Sequence, residues 1–148
     1  MTDKEIDEAI REQKICRIGF IDEEFPYIAP FQYLYLDGVL YFHFTNYGKK
    51  KKILKKNNNV CVSVEKLAPD LKKYLFIAIQ GKLKKVEDSS EIELVVKKLV
   101  QEAEGKFSES FLSAHGFNKE EGWKSFSPKD RIIYKLDDVV NKIGLKSL

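Results

Sequence analysis

The chain has 148 residues, with 26 Lys or Arg against 23 Asp or Glu, a net charge of +3 on a sequence that is 33% charged. That length fits one domain around one core and argues against a second, and the near balance of charge argues against a dedicated polyanion binder while leaving room for one basic face. No run approaches the roughly 20 apolar residues that span a bilayer, and "MTDKEIDEAIREQK" lacks an apolar signal core, so a cytoplasmic protein without a membrane partner is the expectation.

Thr2, Glu5 three places later, and Ile6, Ala9 and Ile10 on one face predict a capped first helix. The period then changes. "ICRIGFI" and "PYIAPFQYLYL" read as strands, and Asp37-Gly38 joins the second to "VLYFHFT" as a hairpin. Past the lysines, "VCVSVEK" and "YLFIAIQGKLKKVED" are further strands, with Gly81 marking a bulge. "SSEIELVVKKLVQEAEGK" restores helical spacing, with Ser89 or Ser90 as cap and Gly105 at the exit, and "RIIYKLDDVV" is the last strand. Cys16 and Cys61 lie in apolar runs without metal-ligand spacing, so both read as reduced core thiols and no metal is expected. The sum is a mainly β protein with peripheral helices, a six-stranded antiparallel barrel in a single domain over residues 1–148.

The stretch "YFHFTNYGKKKKILKKNNNV" carries six lysines within eight residues. Alternation along Val39 to Thr45 puts Leu40, Phe42 and Phe44 on the core face and Tyr41, His43 and Thr45 on the other. In the short helix that follows, Lys50 lies three and four places before Ile53 and Leu54 and shares their inward side. A solvated helix face accounts for Lys51, Lys52, Lys55 and Lys56. It leaves unexplained the polar strand face that ends at the same turn, where a glycine, a helix N-terminus, Thr45 and one or two lysines have the makings of a phosphate cradle. Gln80, in the row of Phe76 and Ala78, calls for a hydrogen-bond partner. His115 reads as a surface or loop histidine, and Phe117, Trp123 and Phe126 as cover over the barrel or a dimer seam, with the lining of a ligand cleft as the alternative.

The order of "DGVLYFH", the "GKK" turn, a helix with Leu54, and "NNNV" opening the next strand resembles the FMN-binding split-barrel proteins related to pyridoxamine 5′-phosphate oxidase, and within them the nitroimidazole-resistance-like flavoproteins. "TNYGKK" is similar to the phosphate turn of the oxidases. The resemblance is good over residues 25–66 and looser to the final strand. It implies a six-stranded split β-barrel of the FMN-binding type, with FMN as cofactor and its phosphate at Thr45, Lys49 and Lys50. It also implies the isoalloxazine against Pro30, Phe31, Gln32 and Tyr33, often through backbone groups, with His43 near the flavin or a second ligand and so the candidate for catalysis. Gln80 joins this set as a candidate cofactor contact.

Homodimers with flavin sites at the interface, and an oxidoreductase acting on a small-molecule electron acceptor, complete what the resemblance implies. The sequence departs from the oxidases in lacking basic residues on "YIAPFQY" and a histidine matching theirs near "WKSFSPKDRIIYKL", where Trp123 and Arg131 stand. Two other readings compete. One is a nucleic-acid-binding barrel that uses "GKKKKILKK" and "GKLKK" with Tyr33, Tyr35 and Tyr41 as stacking platforms; nucleic acid is the less expected partner. The other is a flavin carrier or sensor without turnover.

Overall fold

In the computed structural model, which describes residues 1–106 and 131–148, helix α1 (Asp3–Glu12) starts at Thr2. The Thr2 hydroxyl accepts from the Glu5 N–H and the Glu5 carboxylate accepts from the Thr2 N–H, which satisfies two donors of the first turn. Ile6, Ala9 and Ile10 form its buried face. The chain continues through β1 (Ile15–Asp22), β2 (Phe25–Gln32), β3 (Leu34–Leu36), β4 (Val39–Phe44), α2 (Lys49–Lys56), β5 (Asn59–Leu67), β6 (Tyr74–Lys85), α3 (Ser89–Lys106) and β7 (Ile132–Lys146).

The strands form one antiparallel, curled sheet in the order β2-β1-β5-β6-β7-β4-β3. Its two outermost strands, β2 and β3, are consecutive pieces of chain separated only by Tyr33, so the sheet returns on itself. This is a split barrel of seven strands where six were expected. The extra strand arises because "PYIAPFQYLYL" breaks at Tyr33, whose N–H donates to the Lys14 carbonyl; before the break the chain pairs with β1, and after it with β4.

Inward alternation works as the pattern predicts. Ile18 and Phe20 of β1, Phe42 and Phe44 of β4, Val62 and Val64 of β5, and Ile77 and Ile79 of β6 are all buried in one cluster. α1 covers one end of this core with Ile6 and Ile10, and α2 covers the other with Ile53, which Leu54 supports. The register sets the ends apart: α1 meets Tyr33 and Gly144, whereas α2 meets Asp22 and Glu23 at the far end of β1. A second cluster lies outside the barrel. Val95 and Val96 of α3 pack there on Leu34, Tyr41 and Ile133, so the face that carries Tyr41 is covered by a helix.

Several turns follow their sequence. Asp37 and Gly38 both have positive φ, 50° and 79°, as a tight hairpin requires. The β6–β7 register shifts between Gln80 and Lys82, and a Cβ on Gly81 would lie 2.8 Å from the Asp137 carbonyl oxygen. Only glycine fits that close approach. Three expectations change. α3 is capped at Asp88, whose carboxylate accepts from the Glu91 N–H, in place of Ser89 or Ser90, and it continues through Gly105 to Lys106. β7 runs on to Lys146, well beyond "RIIYKLDDVV". Cys16 is buried, its thiol pushed up to about 12 by burial, but Cys61 is half-buried on the outer face of β5 because strand parity gives the interior to Val60, Val62 and Val64.

Candidate functional site

β2 and β4 face each other without a backbone ladder. Among the described residues β2 pairs only with β1, and residues 42–44 of β4 pair only with β7, because β3 ends its pairing at Tyr41. What joins the two strands is aromatic: Phe31 lies 4.9 Å from Phe44 and 5.9 Å from Phe42, ring centre to ring centre. This seam is the split of the barrel. By strand parity Pro30 and Gln32 lie on the outward bank on the β2 side, and Tyr41 and His43 on the β4 side. The Gln32 amide donates to the Leu99 carbonyl of α3 at 3.4 Å, and half-buried His43 is level with Ile133 of β7.

The turn at 45–48 closes one end of the seam. The Thr45 hydroxyl donates to the Tyr47 carbonyl at 2.9 Å and is exposed. Gly48 is the cap of α2, with φ 94° and no side-chain cap bond, so the first N–H groups of the helix have no such partner. A Cβ at Gly48 would meet nothing within 4 Å; its backbone angle is what favours glycine there, and the space before the helix is open.

The lysines of α2 are not equivalent. Lys49 Nζ lies 3.2 Å from the Asp22 carboxylate and 4.8 Å from the centre of the Tyr27 ring. Lys51 donates to the Asn46 side-chain and backbone oxygens at 2.8 and 3.1 Å, and Lys56 meets Glu23 at 2.8 Å. Lys50 is half-buried with its Nζ 5.0 Å above the Phe31 ring, and among the described residues it has no carboxylate partner. Its stem crosses the apolar mouth while its charge remains available.

The structure therefore brings Phe31, Thr45, Lys49 and Lys50 to one mouth, with Pro30, Gln32 and His43 along the seam that leads from it. Two residues stand elsewhere. The Tyr33 side chain is buried and its hydroxyl donates to the Ile10 carbonyl at 2.6 Å, so it secures α1. Gln80 lies on the outer face of β6, beyond β1 and β5 from β2, and accepts from the Asn141 amide at 3.3 Å. Asp22 and Tyr27 belong to the mouth and escaped the sequence reading. Their signal, an acid in "IDEEF" and a ring two places before Ala29, acquires meaning only with the β1–β2 register and the position of α2.

The stacking platforms required for nucleic acid are not exposed. Tyr33 and Tyr41 are buried; the Tyr41 hydroxyl donates to Glu91 at 2.9 Å, and Tyr35 donates to Asp7 beneath the Arg11 guanidinium. Burial, with the carboxylate partners second, pushes the Tyr35 and Tyr41 phenols up to about 12. His115, Phe117, Trp123 and Phe126 lie outside the described residues. Among the described residues no group of three His, Cys, Asp or Glu side chains is placed to hold a metal ion, and no helix is long and apolar enough to cross a membrane.

A split barrel with one uncapped helix at its open seam defines the class. The chain belongs to the pyridoxamine 5′-phosphate oxidase family, whose model matches residues 2–122. Among solved structures it is similar to a FAD-binding protein of Mesorhizobium loti, at 18% identity and a TM-score of 0.67, over 100% of this chain and 96% of that one. A candidate 5-nitroimidazole antibiotic resistance protein of Bacteroides thetaiotaomicron matches at 23% identity and a TM-score of 0.64, covering 97% and 82%. The conserved hypothetical protein Rv2991 of Mycobacterium tuberculosis matches at 12% identity and a TM-score of 0.76, covering 97% and 84%. At these identities the likeness is one of fold. No curated protein matches the sequence significantly.

Proposed function

We propose that this protein binds FMN along the β2–β4 seam and acts as an oxidoreductase on a small acceptor. The observation that carries the reading is Lys50: a half-buried cation without a carboxylate partner among the described residues, set at the uncapped start of a helix and at the end of an open seam. The residues present fit the group. A phosphate monoester would take the α2 N–H groups, Lys50, and the Thr45 hydroxyl once that hydroxyl leaves the Tyr47 carbonyl. The facing edges of residues 30–32 and 42–44 offer backbone groups that no ladder uses among the described residues, which suits the polar rim of an isoalloxazine.

When bound, a flavin supplies electron or hydride transfer to a small acceptor. The residues of this chain orient it, exclude water with Phe31 and Phe44, and offer His43 as the titratable group beside a second ligand. The family and neighbours described as FAD-binding support a flavin as the ligand, and the choice of FMN rests on Lys50 and the helix start.

A homodimer belongs to the same reading. The outer faces of β1, β5, β6 and β7 carry Ile15, Phe76, Ile143 and Leu145, all exposed, around a flat centre of Gly19, Cys61, Ser63 and Ala78. The same face carries the Arg17–Glu65 ion pair and the Gln80–Asn141 amides, and exposed apolar side chains clustered within a polar surface of this kind are characteristic of one covered by a partner. Gln80 lies on it, and in such a dimer would stand at the interface between the copies. Two free cysteines suit a reducing compartment, and a cytoplasmic location completes the reading.

Calorimetric titration of the purified protein with FMN and with riboflavin tests the proposal. Saturable FMN binding with a clear preference over riboflavin is expected, and absence of binding by either would overturn it. Sedimentation at micromolar concentration should give a dimer, and Ile143→Asp should give a folded monomer.

A further inference from the structure

The β1–β2 turn carries three consecutive acids, Asp22, Glu23 and Glu24, and its Asp22 meets the same helix start that a phosphate would use, while Glu23 reaches the last turn of α2. Asp22 holds Lys49 at 3.2 Å, Glu23 holds Lys56 at 2.8 Å, and Lys51 is turned onto Asn46. Lys52 and Lys55 stand exposed. The uncommitted positive charge at the mouth is therefore Lys50 together with the N-terminus of α2.

Resting on the flavin reading above, we propose that Asp22 is a specificity-determining residue that keeps this mouth a one-phosphate site and so selects a flavin mononucleotide over a dinucleotide. A terminal phosphate monoester is matched by one lysine and a helix N-terminus. A diphosphate bridge spreads its charge over two phosphorus centres and needs a second cation. The second lysine at this helix start is Lys49, and Asp22 already neutralises it. The Asp22 carboxylate is 32% exposed and Lys49 59% exposed, so the pair contributes little to stability and its consequence is the sign of the charge it leaves at the mouth.

The test is calorimetric titration of FMN, FAD and riboflavin into the wild type, Asp22→Asn, Lys49→Ala and the double variant, with thermal melts to confirm folding. The wild type should prefer FMN to FAD by about tenfold or more, and Asp22→Asn should narrow that ratio by about fivefold, mainly through tighter FAD. In the Lys49→Ala background, Asp22→Asn should narrow it much less, because the cation it would release is gone. Equal affinity for the two nucleotides in the wild type overturns the inference, as does a ratio unchanged by Asp22→Asn while FMN still binds. If the wild type binds none of the three flavins, the flavin reading itself has failed, which is a different result from binding without discrimination.

Discussion

The two ends of the barrel are built on different terms. At the α1 end polar groups meet partners: the Tyr33 hydroxyl donates to the Ile10 carbonyl, Tyr35 to Asp7, Lys146 to Glu5, and the amino terminus to the Gly144 carbonyl. Packing there is equally tight, since a Cβ on Gly144 would lie 2.8 Å from Ile6 Cγ1. At the α2 end the helix has no side-chain cap, Thr45 is bonded to its own turn, and Lys50 rests on an aromatic ring without a carboxylate among the described residues. The same short polypeptide thus finishes one end and leaves the other electrostatically open. An end that only closes a fold satisfies its charges, so the unsatisfied end is where a function is to be sought.

Substitutions at the two ends should separate stability from binding. The largest effect is expected for Ile10→Ala, which empties a fully buried position under α1 and should cost about 2–5 kcal/mol in urea unfolding while the folded fraction keeps its FMN affinity. Lys50→Ala should do the reverse. It should cost about 1.5–3 kcal/mol of FMN binding by calorimetry, roughly 10- to 150-fold, with the urea midpoint almost unmoved.

Gly48→Ala touches both properties. Its φ of 94° strains any residue with a Cβ, so about 1–2 kcal/mol of stability should be lost, with a weaker anion site as α2 starts imperfectly.

The α1 end should also respond to acid. The Lys146 ammonium first, and then the Thr2 N–H, hold Glu5 down at about 2, while the Tyr35 hydroxyl is the main cause of a lowered Asp7. Because both folded values lie below the unfolded ones, the stabilisation is present above the ordinary carboxylate range and is lost as pH falls through the folded values. Thermal midpoints should decline on acidification below that range, and Lys146→Met should flatten the decline. The smallest effect should come from replacing Lys55 and Lys56 together with alanine: next to no change in stability or FMN binding, since the Lys56–Glu23 pair is largely exposed. A loss of FMN affinity as large as that of Lys50→Ala would erase the contrast between the ends and make the lysine run a diffuse basic surface.

Much of this architecture was local and therefore legible. The Thr2–Glu5 cap, the Ile6-Ala9-Ile10 face, the alternation of β4, the Asp37-Gly38 turn, the bulge at Gly81 and the inward place of Lys50 depend on residues a few positions apart. What the sequence hid depends on distant chain. The break at Tyr33 needs the Ile10 and Lys14 carbonyls, and the burial of Tyr41 needs α3, which begins some 50 residues later. Gln80 falls on the far wall only once the strand order is known. Cys61 was readable, for the alternation of "VCVSVEK" already points it outward; the apolar composition of the run concealed the parity. In the site, charge type was visible from the sequence, but which lysine is neutralised by which acid required the register that brings Asp22 beneath α2.

The seam between β2 and β4 has one more consequence. Everywhere else around the barrel, neighbouring strands are laced by backbone bonds whose rupture is unfolding; along this line, among the described residues, no ladder forms and the rings of Phe31, Phe42 and Phe44 meet. Parting it separates rings and leaves every ladder intact. In hydrogen-exchange terms, amides of residues 42–44 that point into the seam should exchange well ahead of those in the β5–β6 ladder, through local opening that leaves the global fold in place. A flat polar-edged molecule lying there would act as the strand the barrel lacks, and its arrival would be read as protection of those same amides.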